Sequence, residues 1–590
     1  MKLSYDHFLE EFLMRPRGCS PSLFTICVVS VAIAISFFLV PDQRTAEATE
    51  TAARSVAPAA SESSVLAYTA SPAPLGEENQ FTLRLHGANL ELSDSHSGSI
   101  LRSRPLAATQ GVEVQGADGE TNDMLTVDFS GGPFSLPAGI RYDGGVGGYD
   151  TLVITGGTSA YEIYDPKNQN DGVITLDGLR IIYSNIEPIT DVAPVTNYTI
   201  DATATDDLIN IIDGEVFSGD TLTQVNSSNS PSPTFESISF ANKTNVIVNG
   251  KGGSDTITLN NPNPATGLAT LTINGGNGNN SYIVTASPPS VTVNINGGAG
   301  DDTLTVNDRA GLLDNLRYVP TGPGAGQVIN DTAGVPVVNN FTGVEHLQLV
   351  VTPGDGDGVR IDGTIGNDQI QFFHGAIPGF GRFTGIMDQN NATGVGPFAL
   401  TEMIFQGTNP AANDADVNFF NPGGVDTFVF NGTTGDDVIA VGVGEAGGTE
   451  FRNTIGGTLF SRLEVFNVAS ATVNGDTGSD TFNVTPRSTV TLNINGGAPT
   501  PPALPGDVLA IDTTGTANPV LHSTNTPTGL QGSITFGDRE PVNFEQIESI
   551  RGIAPPLHVP MCDPLGLALL SLGLAASAWF AMRRKSDNPE

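Results

Sequence analysis

Asn296-Gly297-Gly298-Ala299-Gly300-Asp301-Asp302-Thr303-Leu304-Thr305-Val306 reads as a sharp turn followed at once by a β-strand. Asn-Gly and paired glycines supply the positive φ values that a tight turn needs. An Asp closes the turn through its carboxylate, and the alternation that follows places every second side chain inward. Six more segments share the pattern: GGVGGYDTLVI from Gly144, NGKGGSDTITL from Asn249, NGGNGNNSYIV from Asn274, DGTIGNDQIQF from Asp362, NGTTGDDVIAV from Asn431 and NGDTGSDTFNV from Asn474. Looser relatives start at Gly116 and Ala202.

A second element recurs between these turns, an apolar-Glu-x-apolar run around Glu187, Glu236, Glu345, Glu402, Glu464 and Glu548. The stretches 144–189, 297–349 and 496–550 agree in order, spacing and residue type, so the repeating unit is a turn-strand-strand module. Gly250, Gly275 and Gly297 stand 25 and 22 residues apart, and Gly475 and Gly496 stand 21 apart. Coils of roughly 20–25 residues predict an all-β chain folded as a parallel β-helix or β-solenoid, in which like positions stack on neighbouring coils. Such stacking would set Asn249, Asn274 and Asn296 in one amide ladder and bury Ile257, Tyr282 and Leu304 in line. Tandem β-sandwich domains are the rival, with the interval from Gly363 to Gly432 leaving room for them. No amphipathic helix is legible between Phe81 and Ile553; short β-branched runs alternate with Gly/Asn/Asp turns throughout.

The chain has 590 residues, with 70 Gly, 39 Pro and a hydrophobic fraction of 38%, too apolar for disorder and rich in turns. Its 63 Asp+Glu against 25 Lys+Arg leave a net charge of −38, which excludes a nucleic-acid partner and suits cation binding or a soluble, self-repelling surface. The three cysteines, Cys19, Cys27 and Cys562, lie in or beside the terminal apolar segments, so no disulfide and no zinc cluster is available to the body.

Both ends carry addresses. Ser22 to Val40 is uncharged and apolar, preceded by Arg15 and Arg17 and followed by the A-x-A site Ala46-Glu47-Ala48, so residues 1–48 read as a signal peptide or an N-terminal anchor. Residues 49–80 have the Ala/Ser/Thr/Pro composition of a disordered linker, and residues 81–553 form the repeat-bearing ectodomain. The segment 554–563 contains His558-Val559-Pro560-Met561-Cys562-Asp563, and residues 564–585 comprise an apolar helix ending in Arg583-Arg584-Lys585, with a tail to 590. A basic stop holds that end in the cytoplasm and places the body outside. Motif, apolar helix and basic cluster resemble the tripartite sorting tails of bacterial surface proteins of the PEP-CTERM/exosortase type, although the motif departs from Pro-Glu-Pro. The resemblance implies a sortase-like processing partner; a plain membrane span is the alternative. Either way the chain is expected in the cell envelope, at the cell surface.

Gly297, Gly298, Gly300, Asp302 and Leu304 also match GGxGxDxUx, so the turns resemble the hemolysin-type (RTX-like) calcium repeat. That resemblance implies Ca²⁺ held between adjacent turns, with Asp255, Asp301, Asp302, Asp368, Asp436, Asp437 and Asp480 as its candidate ligands. The nonapeptides are not in tandem here, and Asp residues that merely cap turns are the alternative. A catalytic use of the glutamates would need two carboxylates beside a sugar cleft, yet they recur once per repeat, as a structural position does. No HExxH or GxSxG motif occurs. The leading expectation is a non-enzymatic exported structural or adhesion protein, facing surface glycans or neighbouring cells. A polysaccharide-active β-helix lyase or hydrolase and a carbohydrate-binding module are the alternatives.

Overall fold

The computed structural model describes residues 64–553, apart from 75–76, 310–313, 333–335, 353–356, 390–395, 409–416, 502 and 504. The expected signal segment and sorting tail lie outside the described residues. The body is all-β, its described helical content being two single 3₁₀ turns, Leu106–Ala108 and Phe129–Gly131. No described helix is long and apolar enough to cross a membrane.

The strands form two long sheets, one of 21 strands, and the chain alternates between them. In the clearest region, Lys243–Asn249, Thr270–Asn277 and Thr292–Ala299 pair side by side in the first sheet, all parallel. The intervening Thr256–Asn260, Ser281–Ala286 and Thr303–Asn307 pair likewise in the second. Val246, Leu271 and Val293 stack in one register, and Ile257, Tyr282 and Leu304 in the other; all six are buried. The expected inward line of Ile257, Tyr282 and Leu304 is thus present. Each fully buried side chain of this kind contributes about 1.5–3 kcal/mol, and the alternating pattern supplies one at every second position.

At seven places the single strand is replaced by a three-stranded antiparallel meander: residues 79–105, 159–184, 208–240, 314–342, 369–406, 437–466 and 520–547. They fall in the two sheets by turns, and the five inner ones obey one rule in full. The first strand pairs in parallel with the following visit to its sheet, and the third pairs in parallel with the preceding one. Ser159–Pro166 thus lies beside Val195–Asp201, while Leu179–Ser184 lies beside Gly139–Asp143. At the two extremes of the second sheet the free strands, Ile100–Pro105 and Val520–Thr526, are mostly solvent-facing.

The meanders revise two expectations. Successive ladder positions are 22 to 27 residues apart where no meander intervenes, as between Asp255, Asn280 and Asp302, but 41 to 58 where one does, as from Asp507 to Glu548 and from Asp368 to Asp426. A single coil length of 20–25 residues therefore does not hold. The interval from Gly363 to Gly432 is filled by the 369–406 meander, whose outer strands continue the second sheet on both sides, rather than by a separate sandwich. In addition, Val65–Thr69, within the segment read as linker, is a strand paired with Gly111–Gln115.

Candidate functional site

The repeated Asp is the residue that links one visit to the next. Asp207 N–H donates to Asp255 Oδ1 at 2.9 Å, Asp255 N–H to Asn280 Oδ1 at 3.0 Å, Asn280 N–H to Asp302 Oδ1 at 2.7 Å, and Asp302 N–H to Glu345 Oε2 at 2.8 Å. A second run joins Asp437, Asp480, Asp507 and Glu548 in the same manner, at 2.8, 2.7 and 2.6 Å. Shorter runs connect Asp123 to Asp150 and Asp368 to Asp426. These ladder Asp side chains are buried. Each rung is a direct tie between neighbouring turns, made to a carboxyl group everywhere except at Asn280.

The residue just before the ladder Asp makes the reciprocal bond. Asp206 Oδ1 accepts from Ser254 N–H at 2.8 Å, Asn279 Oδ1 from Asp301 N–H at 3.1 Å, Asn367 Oδ1 from Val425 N–H at 2.8 Å, and Asp436 Oδ1 from Ser479 N–H at 2.8 Å. In an adjacent Asp-Asp or Asn-Asp pair the first side chain therefore reaches forward along the stack, while the second position is engaged in the backward-reaching ladder. Asp301 fits this division, bonding His346 of the following visit at 2.9 Å, whereas Asp302 accepts from Asn280 of the preceding one. The paired carboxylates that resembled a calcium site are thus turned apart.

Glycine stands beside most rungs, with Ala202 and Asn421 in its place before Asp207 and Asp426. A Cβ on Gly250, Gly297, Gly432, Gly475 or Gly496 would collide with Oδ2 of its own turn's Asp and with a backbone carbonyl of the next turn. The fate of that Oδ2 divides the turns. Where Ala or Thr follows the ladder's loop entry, its N–H donates to Oδ2: Ala117 to Asp123, Thr203 to Asp207, Thr364 to Asp368 and Thr433 to Asp437, at 2.6 to 2.9 Å. Where that residue is left-handed, as at Lys251 (φ 72°), Gly298 (φ 104°), Asp476 (φ 72°) and Gly497 (φ 93°), Oδ2 of Asp255, Asp302, Asp480 and Asp507 has no hydrogen-bond partner. Burial raises these carboxyls: Asp507 to about 6, Asp255 to about 7 and Asp480 to about 8, with neighbouring carboxylates adding to the rise. Asp302, Asp368 and Asp437 move in the same direction for the same first cause.

An amide ladder runs alongside. Asn249 Nδ2 donates to Asp201 Oδ1 at 2.8 Å, Asn274 to Asn249 at 2.8 Å, and Asn296 to Asn274 at 2.6 Å; Thr342 Oγ1 closes the run on Asn296 Oδ1 at 2.8 Å. This is the ladder expected from the sequence, extended by one member at each end.

Of the seven expected calcium ligands, Asp255 and Asp302 share one ladder with the neutral Asn280 between them, Asp437 and Asp480 share another, and Asp368 pairs with Asp426. Asp301 and Asp436 occupy the forward-reaching position. Among the described residues no three His, Cys, Asp or Glu side chains gather as a metal-holding group. The recurring glutamates hold structure: Glu345 and Glu548 end ladders, and Glu464 accepts from Gly448 N–H at 2.5 Å. The candidates chosen from the sequence left out Asp123, Asp150, Asp207, Asp426 and Asp507, which are ladder members; their position immediately before a β-branched or apolar strand was the available signal. An open concavity of about 610 Å³ borders Glu450, Arg452 and Asp512, where Glu450 is bound by Arg452 at 2.7 Å and Arg462 at 2.6 Å. Neither a family model nor a curated protein matches the chain.

Proposed function

We propose that the chain is an exported, non-enzymatic display protein of the cell envelope, whose β-solenoid body serves as an acidic, self-supporting scaffold for structure or adhesion. Each coil comprises one strand or meander in each sheet and contacts only its neighbours, so length is added without new tertiary design. The observation that carries this reading is the continuous succession of ladders, in which side chains recurring in every repeat are used for coil-to-coil bonds. The terminal apolar segments and the basic stop at Arg583-Arg584-Lys585 support delivery to the envelope.

The same ladders argue for clasping rather than calcium as the work of the Asp residues. Calcium takes about six to eight oxygens, whereas Oδ1 of Asp255, Asp302, Asp480 and Asp507 is engaged by a backbone N–H and the paired carboxylates diverge. The solenoid reading is tested by deleting residues 275–296, one coil, which joins Asn274 to Gly297 and restores Asn-Gly. The shortened protein is expected to keep its β circular dichroism and cooperative melting, and to be labelled on intact cells by a membrane-impermeant amine reagent. Loss of folding would contradict the modular scaffold, and an unlabelled but folded wild-type chain would contradict surface display.

A further inference from the structure

One buried cluster belongs to no ladder. Lys243, at the start of Lys243–Asn249 in the first sheet, is wholly buried, although no cationic side chain is stable in an apolar core without partners. Its Nζ lies 2.6 Å from Asp191 Oδ1 and 2.7 Å from Glu162 Oε2, and it donates to Ala193 O at 2.8 Å. Asp191 comes from Ile189–Asp191 in the second sheet and Glu162 from Ser159–Pro166 in the first; all three side chains are 0% exposed. The Tyr198 ring stands 4.9 Å from Nζ and itself packs on Phe240, so water is excluded. Asp191 Oδ2 and Glu162 Oε1 are buried with no hydrogen-bond partner. Two carboxyls with one amine and two orphaned oxygens are a poor ion pair, since desolvation of both charges opposes their attraction.

We infer that this cluster is an autocatalytic cross-linking site, in which Lys243 and Asp191 condense to an isopeptide bond with Glu162 as the proton relay. The amine is already against the carboxyl it would attack, a pre-oriented arrangement that converts a slow bimolecular condensation into a local one. The Lys243 Nζ–Asp191 Cγ bond forms and one Asp191 Cγ–O bond breaks. Starting from ammonium and carboxylate, two protons leave Nζ and depart with the released oxygen as one water. Glu162, whose carboxyl burial and the neighbouring Asp191 hold well above the usual range, passes those protons and ends as it began. No oxidant or co-reactant is needed. The product replaces two buried charges by a neutral amide and ties the two sheets across 52 residues of chain. The body, whose sequence carries no cysteine between Cys27 and Cys562, would acquire a covalent tie of the kind a disulfide otherwise supplies.

Mass spectrometry of the purified full-length chain tests this directly. Between Arg180 and Lys251 the only trypsin site is Lys243. A cross-linked protein is expected to yield the single peptide 181–251, uncut after Lys243 and lighter than its sequence by one water. Glu162→Gln is expected to restore cleavage and the full mass. Asp191→Asn, which would condense with loss of ammonia instead, is expected to give a peptide identical in mass to the wild-type product. Cleavage after Lys243 in the wild-type protein, with peptides 181–243 and 244–251 at full mass, would overturn the proposal whether or not the variants fold.

Discussion

The two long carboxylate ladders use one hydrogen-bond geometry at opposite corners of the repeat. The run from Asp207 to Glu345 stands where the chain passes from the first sheet to the second, and the run from Asp437 to Glu548 where it passes back. Besides length, five members against four, they differ in one residue type. The first is interrupted at its centre by Asn280, whereas the second keeps a carboxyl at every rung. Asn280 shows what the position asks for: its Oδ1 accepts from Asp255 N–H while its Nδ2 donates to Gly278 O at 3.2 Å and Gly297 O at 3.4 Å. At Asp480 the second head atom is a buried oxygen with no hydrogen-bond partner, placed where a Cβ on Gly475 would strike both it and Gly496 O. A carboxyl there lacks the donor that the amide supplies, and burial shifts it toward its neutral form. The difference teaches that the rung itself is indifferent to charge and that the second head atom is not.

The comparison breaks most severely at the glycine common to both. Gly475→Ala drives a methyl into Asp480 Oδ2 and Gly496 O, and Gly250→Ala does the same against Asp255 Oδ2. Each is expected to cost about 3 kcal/mol, read by chemical denaturation. Equal losses would confirm that these two turns admit no Cβ; an alanine tolerated there, as Ala202 is natively before Asp207, would refute it.

Exchanging the distinguishing residue sharpens the contrast. Asn280→Asp inserts a third successive carboxyl between Asp255 and Asp302, and is expected to destabilise by about 1–3 kcal/mol at pH 8.5 but little at pH 5. Asp480→Asn is expected to stabilise by about 1 kcal/mol at pH 8.5 and to flatten the pH dependence. The sign follows from linkage. The folded Asp480, Asp255 and Asp507 titrate at about 8, 7 and 6, above an unfolded Asp. Between these values the folded chain holds more protons, so stability is full below about pH 4 for these groups and falls as pH rises toward 8. A wild-type melting temperature that climbed from pH 5 to pH 8 would contradict this.

Much of this was legible beforehand. Asn249, Asn274 and Asn296 form their ladder, Ile257, Tyr282 and Leu304 line up inward, and the recurrent Glu345 and Glu548 are structural. The meanders were not legible, because antiparallel and parallel strands share the same two-residue alternation. Their signal was smaller: two-residue hairpin turns at Asp177-Gly178, Ser218-Gly219 and Gly456-Gly457, each with both residues at positive φ. The direction in which an Asp reaches was also hidden, since spacing places a residue at a turn without saying which neighbour it grasps. Lys243, Asp191 and Glu162 are scattered over 81 residues, and only the pairing of both sheets brings them together.

The smallest expected effect tests the central claim most directly: the melting temperature of the purified protein in excess Ca²⁺ and in excess chelator at pH 7.5. If the ladder carboxyls clasp backbone N–H groups, the two melting temperatures agree within error, and Asp480→Asn melts no lower than wild type in either. A melting temperature several degrees higher in Ca²⁺, lost in Asp480→Asn, would contradict the clasp and return these residues to a metal.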